Sequence, residues 1–278
     1  MTIDSHHHFW KYSPEQYGWI GEGMDVLKRD FGPGDLLEIA ESEGLDGVVS
    51  VQARTIPEET ESLLAFGKKH PFIKGVVGWI ELTDPKVGDA LEKCSMEPLI
   101  KGFRHVLQGE SDERYMLRED FNRGVAMLHN YGFVYDILIK HFHLPHTPAF
   151  VDQHEGQVFV IDHIAKPRIE TDTPDPAWVS GMREIARRGN VYCKVSGMVT
   201  EVVEGVNWSP QLLQPYFETV LEAFGPDRLM FGSDWPVCLL ASDYHRWIET
   251  VRSWTSKLST TEQAWIMGGT ATEAYQLA

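Results

Sequence analysis

Two histidines separated by one residue stand near the start of the chain. They are His6 and His8, within the segment IDSHHHFW at residues 3–10. Alternate residues of a β-strand share one face of the sheet, so both imidazoles would point the same way. Neutral imidazoles bind transition metals and form hydrogen bonds with reacting groups. Part of a purification tag is the competing interpretation, but the segment lies between an Ile-Asp pair and two aromatic residues, not in a Gly/Ser linker. The pattern therefore favours a functional site.

Two later segments also end in residues that can move protons or bind metal. Residues 159–167 read FVIDHIAKP and place His163 at the end of an apolar run, and residues 229–236 read LMFGSDWP and place Asp234 in the same way. A buried imidazole or carboxylate is costly unless it is paired or used. Together with the two N-terminal histidines, these groups could hold one zinc-type ion. They could also work without metal, the imidazoles polarising a carbonyl oxygen while Asp234 takes a proton from water.

Side chains this far apart in sequence meet only if the fold brings them together, and the chain repeats one pattern that does so. Short apolar segments of strand length alternate with helix-like segments. The predicted strands span residues 3–8, 47–52, 73–80, 99–106, 133–139, 159–164, 191–197 and 229–235. The clearest predicted helices span residues 57–70, 119–131, 176–189, 210–225 and 243–254, with a closing helix at 260–277 broken at Gly268 and Gly269.

This alternation predicts an α/β fold, a single (β/α)8 barrel of the TIM type, because eight strands and helices at a spacing of about 30 residues fill such a barrel. No linker rich in Pro, Ser or Gly divides the chain, so we expect one domain over residues 1–278. A doubly wound open sheet is the alternative. That fold would not gather polar residues at the ends of all the strands.

Composition limits the classes to which the protein can belong. The chain has 278 residues, a net charge of −16 at pH 7 and three cysteines without a CxxC motif. So negative a chain is poorly suited to nucleic acid or an anionic membrane. No apolar run approaches the length of about 20 residues that a transmembrane helix needs. The few cysteines argue against a disulfide framework. We expect a cytoplasmic protein with neither nucleic acid nor membrane as a partner.

The carboxyl ends of the strands carry the chemistry in barrels of this type. Arg104, always charged and with a fork of donors, is the best candidate to orient a substrate. An ion pair with Asp136 or Glu81 is the alternative for Arg104, and His105 is either a second donor or a packed neighbour. In chain order, the residues at the predicted strand ends are His6 and His8, Gln52, Trp79 and Glu81, Arg104 and His105, Asp136, His163, Lys194 and Ser196, and Asp234.

Five segments in this order resemble the amidohydrolase superfamily, and in particular its branch of sugar-lactone hydrolases, which includes L-fuconolactonases and L-rhamnono-lactonases. The segments are DSHHHFW at residues 4–10, KGFRH at 101–105, DHIAKP at 162–167, KVSGMVTE at 194–201 and FGSDWPV at 231–237. The resemblance covers the whole chain. It is specific for the branch and less so for one substrate.

The resemblance implies a distorted barrel in which His6, His8, His163 and Asp234 line a metal centre, with Asp234 as the general base. The chain departs from the two-metal pattern, which has a bridging lysine or glutamate on strand four and a histidine on strand five. Here strand four ends in Arg104-His105, strand five offers Asp136, and His141 and His143 lie beyond it. We therefore expect either no cofactor or one divalent metal, with zinc as the first candidate.

The activity that the resemblance implies is opening of a sugar lactone by water, with Asp234 activating the water and the histidines stabilising the carbonyl oxygen. Two alternatives are a metal-dependent decarboxylase or amide hydrolase on the same barrel, and a non-catalytic barrel that binds a sugar or metal. The sugar, the ring size and the choice between monomer and homodimer stay open. The predicted substrate-binding residues are Arg104, His105, Trp10, Gln52, Glu81, Lys194 and Trp235.

Overall fold

Eight parallel strands, hydrogen-bonded in chain order, form the centre of the protein in a computed structural model that describes residues 1–278. Each of the eight predicted strands is present, and each ends earlier than predicted because the residues after it turn into the loops of the barrel mouth. The strands are β1 Ile3–His7, β2 Gly47–Val51, β3 Ile73–Gly78, β4 Ile100–His105, β5 Val134–Ile137, β6 Phe159–Ile161, β7 Val191–Val195 and β8 Leu229–Phe231.

Helices cover the outside of this sheet. α6 begins after Asp175, whose side chain accepts a hydrogen bond from Ala177 N, and α7 begins after Ser209, whose side chain accepts one from Leu212 N. Such caps satisfy backbone donors that the first helical turn leaves free. The helices are α1 Pro33–Glu43, α2 Glu58–Gly67, α3 Val87–Ser95, α4 Glu119–Leu128, α5 Thr147–Val151, α6 Pro176–Ile185, α7 Pro210–Phe224, α8 Tyr244–Thr255, α9 Thr260–Ala264 and α10 Thr270–Ala274.

The barrel closes between the last strand and the first. Asp234 N donates to His6 O at 2.8 Å, and His8 N donates to Trp235 O at 2.7 Å. These two bonds join β1 to the segment that follows β8, so closure and the position of Asp234 depend on the same contacts. The prediction of a (β/α)8 barrel is confirmed. No helix combines the length and the apolar character that crossing a bilayer requires.

The closing helix is divided, as its glycines predict. A π-helical turn at Trp265–Gly269 separates α9 from α10. At Gly268 an added Cβ would lie 2.1 Å from Met1 O, so only glycine lets this turn pack against the start of β1. α10 and the residues after it then cover the lower end of the barrel, where Tyr275 packs with valines from the barrel strands, including Val49 and Val77.

Candidate active site

A cavity of about 750 Å³ opens at the carboxyl ends of the strands. His6 is not part of the cavity lining, but it is fully buried directly behind the lining residues His8 and Asp234. The site predicted from distant parts of the sequence is therefore assembled at one end of the barrel. The predicted residues in the cavity wall are His8, Gln52, Arg104, His105, His163 and Asp234.

Three imidazoles converge on the Asp234 carboxylate. Asp234 Oδ1 lies 3.4 Å from His8 Nε2, 3.8 Å from His6 Nε2 and 3.9 Å from His163 Nε2. His6 in β1 and His8 directly after it have their Nε2 atoms 3.3 Å apart. In each histidine it is Nε2 that faces the acid.

The Nδ1 atoms of two histidines are held by neighbouring strands. His8 Nδ1 lies 2.8 Å from Val51 O. A carbonyl oxygen only accepts, so Nδ1 carries the hydrogen and a neutral His8 keeps a free lone pair on Nε2. His163 Nδ1 lies 2.8 Å from Ser196 Oγ. These contacts fix both rings with Nε2 directed at the carboxylate, as groups behind a metal-binding or catalytic imidazole commonly do.

His163 reaches the site on an unusual turn. It and the three residues after it, through Lys166, all have left-handed backbone angles, with φ between 47° and 59°. Such angles cost about 1–2 kcal/mol for each residue other than glycine, and strain of this kind collects at functional sites. Gly197 lets the turn approach, because a Cβ there would lie 2.6 Å from His163 Nδ1. The turn brings both His163 and Lys166 to the cavity wall.

Burial sets the charge states of these groups. It lowers the pKa of His163 to about 4 and holds the pKa of His6 well below its usual range. Burial alone would raise the pKa of Asp234, but attraction between its carboxylate and the His163 and His8 rings when these carry a proton outweighs burial and lowers that pKa. At neutral pH Asp234 is an ionised carboxylate beside the neutral rings of His6 and His163, which is the state that a proton acceptor needs.

Arg104 crosses the floor of the cavity. Its Nε donates to Gln52 Oε1 at 2.8 Å, and its Nη1 donates to Asp162 Oδ2 at 2.8 Å and lies 3.3 Å from His6 Nε2. The ion-pair partner is therefore Asp162 and neither Asp136 nor Glu81. Because Arg104 also lines the cavity, it can contact a ligand while it stays paired with Asp162.

The donor atoms fit one divalent cation. His6, His163 and Asp234 offer ligand atoms that lie within 4.8 Å of one another. The free lone pair of His8 Nε2 faces the Asp234 oxygen at 3.4 Å. Two acceptors this close repel unless a proton or a cation lies between them. Imidazole nitrogens and one carboxylate oxygen are the ligands that zinc prefers in catalytic sites.

A second ion has no comparable set of ligands. β4 supplies the Arg104 cation, and Asp136 of β5 is bound by Lys194 Nζ at 2.5 Å. The two histidines after β5 lie elsewhere: His141 Nδ1 contacts Lys166 O at 3.1 Å, and His143 is buried against its own turn. The structure thus agrees with the departure from the two-metal pattern.

Four residues predicted to bind substrate lie outside the cavity wall, and here the prediction needs correction. Trp10 and Trp235 point away from the barrel axis into the core, each packing edge to face on Phe31. Glu81 is exposed and accepts a hydrogen bond from Thr83 Oγ1 at 2.6 Å. Lys194 is fully buried below the site. Both tryptophans lie beyond the last residue of their strands, β1 and β8, where strand alternation no longer fixes the direction of a side chain.

His105 combines the two roles considered for it. It lines the cavity, yet it also stacks on Tyr115 at 5.2 Å and its Nε2 lies 2.6 Å from Glu110 Oε1. Trp79 Nε1 donates to its Nδ1 at 3.4 Å, so Nε2 carries the hydrogen that Glu110 accepts.

The cavity wall also contains residues that no sequence pattern singled out. They lie in loops after the strands, where neither periodicity nor a motif marks them; only their position just past predicted strands could have suggested them. These residues are Gln16, Trp19, Met24, Arg54, Glu110 and Lys140. Lys166 and Glu201, which lie in two of the segments that carry the family resemblance, also line the cavity and form an ion pair at 3.2 Å.

Comparison with known proteins gives matches over the full chain. An L-fucono-1,5-lactonase of Burkholderia multivorans is 40% identical over 100% of this chain and 96% of its own length. An L-fucono-1,5-lactonase of Burkholderia ambifaria is 32% identical over 100% of this chain and 96% of its own length. A crystal structure of a B. multivorans amidohydrolase with bound zinc superposes with a TM-score of 0.96, at 40% identity and with 100% of both chains covered.

The family model described as amidohydrolase matches residues 3–277. This span includes the histidine pair of β1 and every segment that builds the cavity. The chain belongs to the amidohydrolase family.

Proposed function

We propose that this protein hydrolyses the ring ester of a sugar lactone. The observation that carries the proposal is the Asp234 carboxylate, ionised at neutral pH and surrounded by three Nε2 atoms, at the wall of a cavity large enough for a sugar ring. Two relatives named L-fucono-1,5-lactonase match the whole chain and support this substrate class. L-Fucono-1,5-lactone is therefore the first substrate to test.

The reaction needs a base and then an acid, and Asp234 can be both. Its carboxylate takes a proton from water as the water oxygen bonds to the lactone carbonyl carbon, giving a tetrahedral oxyanion. When the bond between that carbon and the ring oxygen breaks, the protonated Asp234 gives its proton to the leaving oxygen. The product is an open hydroxy acid, and Asp234 is again a carboxylate.

Charge on the carbonyl oxygen is stabilised from the cavity wall. Arg104 is permanently cationic, lines the cavity, and is held in place by Gln52 and Asp162, so it can donate to the oxygen without reorganising. His6, His8, His163 and Asp234 would hold a divalent ion, zinc in this proposal. When bound, it would supply Lewis-acid polarisation of the carbonyl.

The charge states predict how the rate depends on pH. Since the pKa of His163 is lowered to about 4 and that of Asp234 is also lowered, both groups keep their neutral-pH forms down to mildly acidic pH. We expect kcat/KM to stay level from pH 8 to about pH 5 and to fall below it as His163 gains a proton. Chromatographic measurement of the remaining lactone, corrected for spontaneous hydrolysis, checks this. A fall centred near pH 6.5 would contradict it.

The proposal is tested by acid release from L-fucono-, L-rhamnono-, L-galactono- and D-arabinono-lactones, with the protein as purified and after chelation. Turnover that survives chelation assigns the chemistry to Asp234 and its neighbours alone. Turnover that is lost on chelation and restored by zinc would add a bound zinc ion to the mechanism. Absence of turnover on every lactone, with or without added zinc, would overturn the proposal and favour a decarboxylase or amide hydrolase on this barrel.

A further inference from the structure

Trp19 stands apart from the other tryptophans of the chain. Of the nine tryptophans, it is the one that is exposed, with 42% of its surface accessible. Seven others are at most 8% accessible, and Trp265 is half-buried. An exposed indole leaves a large apolar face in water. Trp19 is also one of the residues that line the active-site cavity.

The ring of Trp19 is held by buried neighbours. It packs edge to face on Trp10, with ring centroids 5.7 Å apart and planes at 88°. Trp10 is itself fixed, because its Nε1 donates to Arg29 O at 2.9 Å and its ring packs on Phe31. The contact covers only part of the Trp19 side chain, since 42% of its surface stays accessible. A ring fixed in this way loses little freedom when a ligand covers it.

The loop that carries Trp19 is closed at its base. Trp10 N donates to Phe31 O, and Phe31 N donates to Trp10 O, both at 2.9 Å. The same loop brings Gln16 and Met24 to the cavity wall, and Gln16 Oε1 accepts a hydrogen bond from Arg54. The side-chain N–H groups of Gln16 are then available to donate to a hydroxyl of the ligand. An apolar face beside amide donors is what a sugar ring, with C–H groups on one face and hydroxyls at its edge, requires.

We propose that Trp19 is the stacking platform for the sugar ring and sets selectivity for ligands with an apolar C–H face. The substrate class rests on the proposed function. The stacking contact itself applies to any pyranose-sized ring in this cavity. Trp10, which the sequence analysis placed among the substrate-binding residues, is the buried support of the platform.

The first experiment measures KM and kcat for L-fucono-1,5-lactone in wild type, Trp19→Phe and Trp19→Leu. A residue that contributes equally to ground-state and transition-state binding changes KM and leaves kcat nearly constant. We expect Trp19→Leu to raise KM about fivefold to tenfold and Trp19→Phe to raise it less than about threefold. Phe142→Leu is the matched control, since Phe142 is also 42% exposed but lies outside the cavity wall.

A binding measurement keeps this proposal separate from the proposed reaction. Calorimetric titration with L-fucose, which has the ring but no ester, is compared in wild type and Trp19→Leu. Weaker binding by the variant supports the platform even if no lactone is hydrolysed. Turnover with the same KM in both proteins would overturn the platform and leave the lactonase standing. Two further outcomes would also overturn the platform. One is a change in oligomeric state without any change in KM or in L-fucose affinity, and the other is a wild-type protein that shows neither binding nor turnover.

Discussion

Replacing Asp234 with asparagine is expected to lower kcat about 10²- to 10⁴-fold, the contribution usual for a general base. Asparagine has nearly the same size but cannot take a proton from water. The change also removes the one carboxylate toward which the Nε2 atoms of His6, His8 and His163 point. Initial rates at saturating lactone, with metal content determined for both proteins, measure the effect.

The same substitution at an exposed position, Asp172→Asn, is the matched control and should leave kcat unchanged. Near-native circular dichroism and melting temperature in Asp234→Asn would show that the loss is chemical. A kcat within threefold of wild type would remove Asp234 from the mechanism. If neither protein turns over lactone, and if sugar binds equally well with aspartate or asparagine at position 234, the result would instead fit a non-catalytic barrel.

The barrel could be predicted because its physical signals are local. Each parallel strand is buried on both sides and therefore reads as a short apolar run. Alternation along β1 correctly places His6 and His8 together, while His7, between them, faces outward and lies 3.0 Å from Ser50 Oγ. The expectations of a cytoplasmic protein and of a monomer or homodimer stay predictions.

The cavity wall could be predicted only in part, because three of its properties are not local. The direction in which a side chain points beyond the end of a strand depends on the turn that follows the strand. Trp235, which follows Asp234 and packs on Phe31, is an example. Depth along the barrel axis decides whether a polar residue meets substrate or another side chain, as with Lys194. The loops that bring in Trp19 and Arg54 are positioned by tertiary contacts, such as the pair of bonds between Trp10 and Phe31.

Lys194 lies at the centre of a charged network below the cavity. Its Nζ is 2.5 Å from Asp136 Oδ2, 3.0 Å from Asp162 Oδ1 and 3.2 Å from His6 Nδ1. Arg104 pairs with the second of these carboxylates, so two cations balance two acids with almost no access to water. Tyr275, from the opposite end of the barrel, donates to Asp136 at 2.8 Å.

Lys194→Met is therefore expected to lower the free energy of unfolding by about 3–5 kcal/mol, because it leaves a buried carboxylate without its counter-charge. The double variant Lys194→Met/Asp136→Asn restores the balance and should recover more than half of that loss, while Lys74→Met, on β3 and partly exposed, should change little. Urea denaturation of the four proteins measures these differences.

A loss below about 1 kcal/mol, or a double variant no more stable than the single one, would show that charge balance does not stabilise this network. The same network holds His6, so its integrity links the stability of the barrel interior to the geometry of the imidazoles around Asp234.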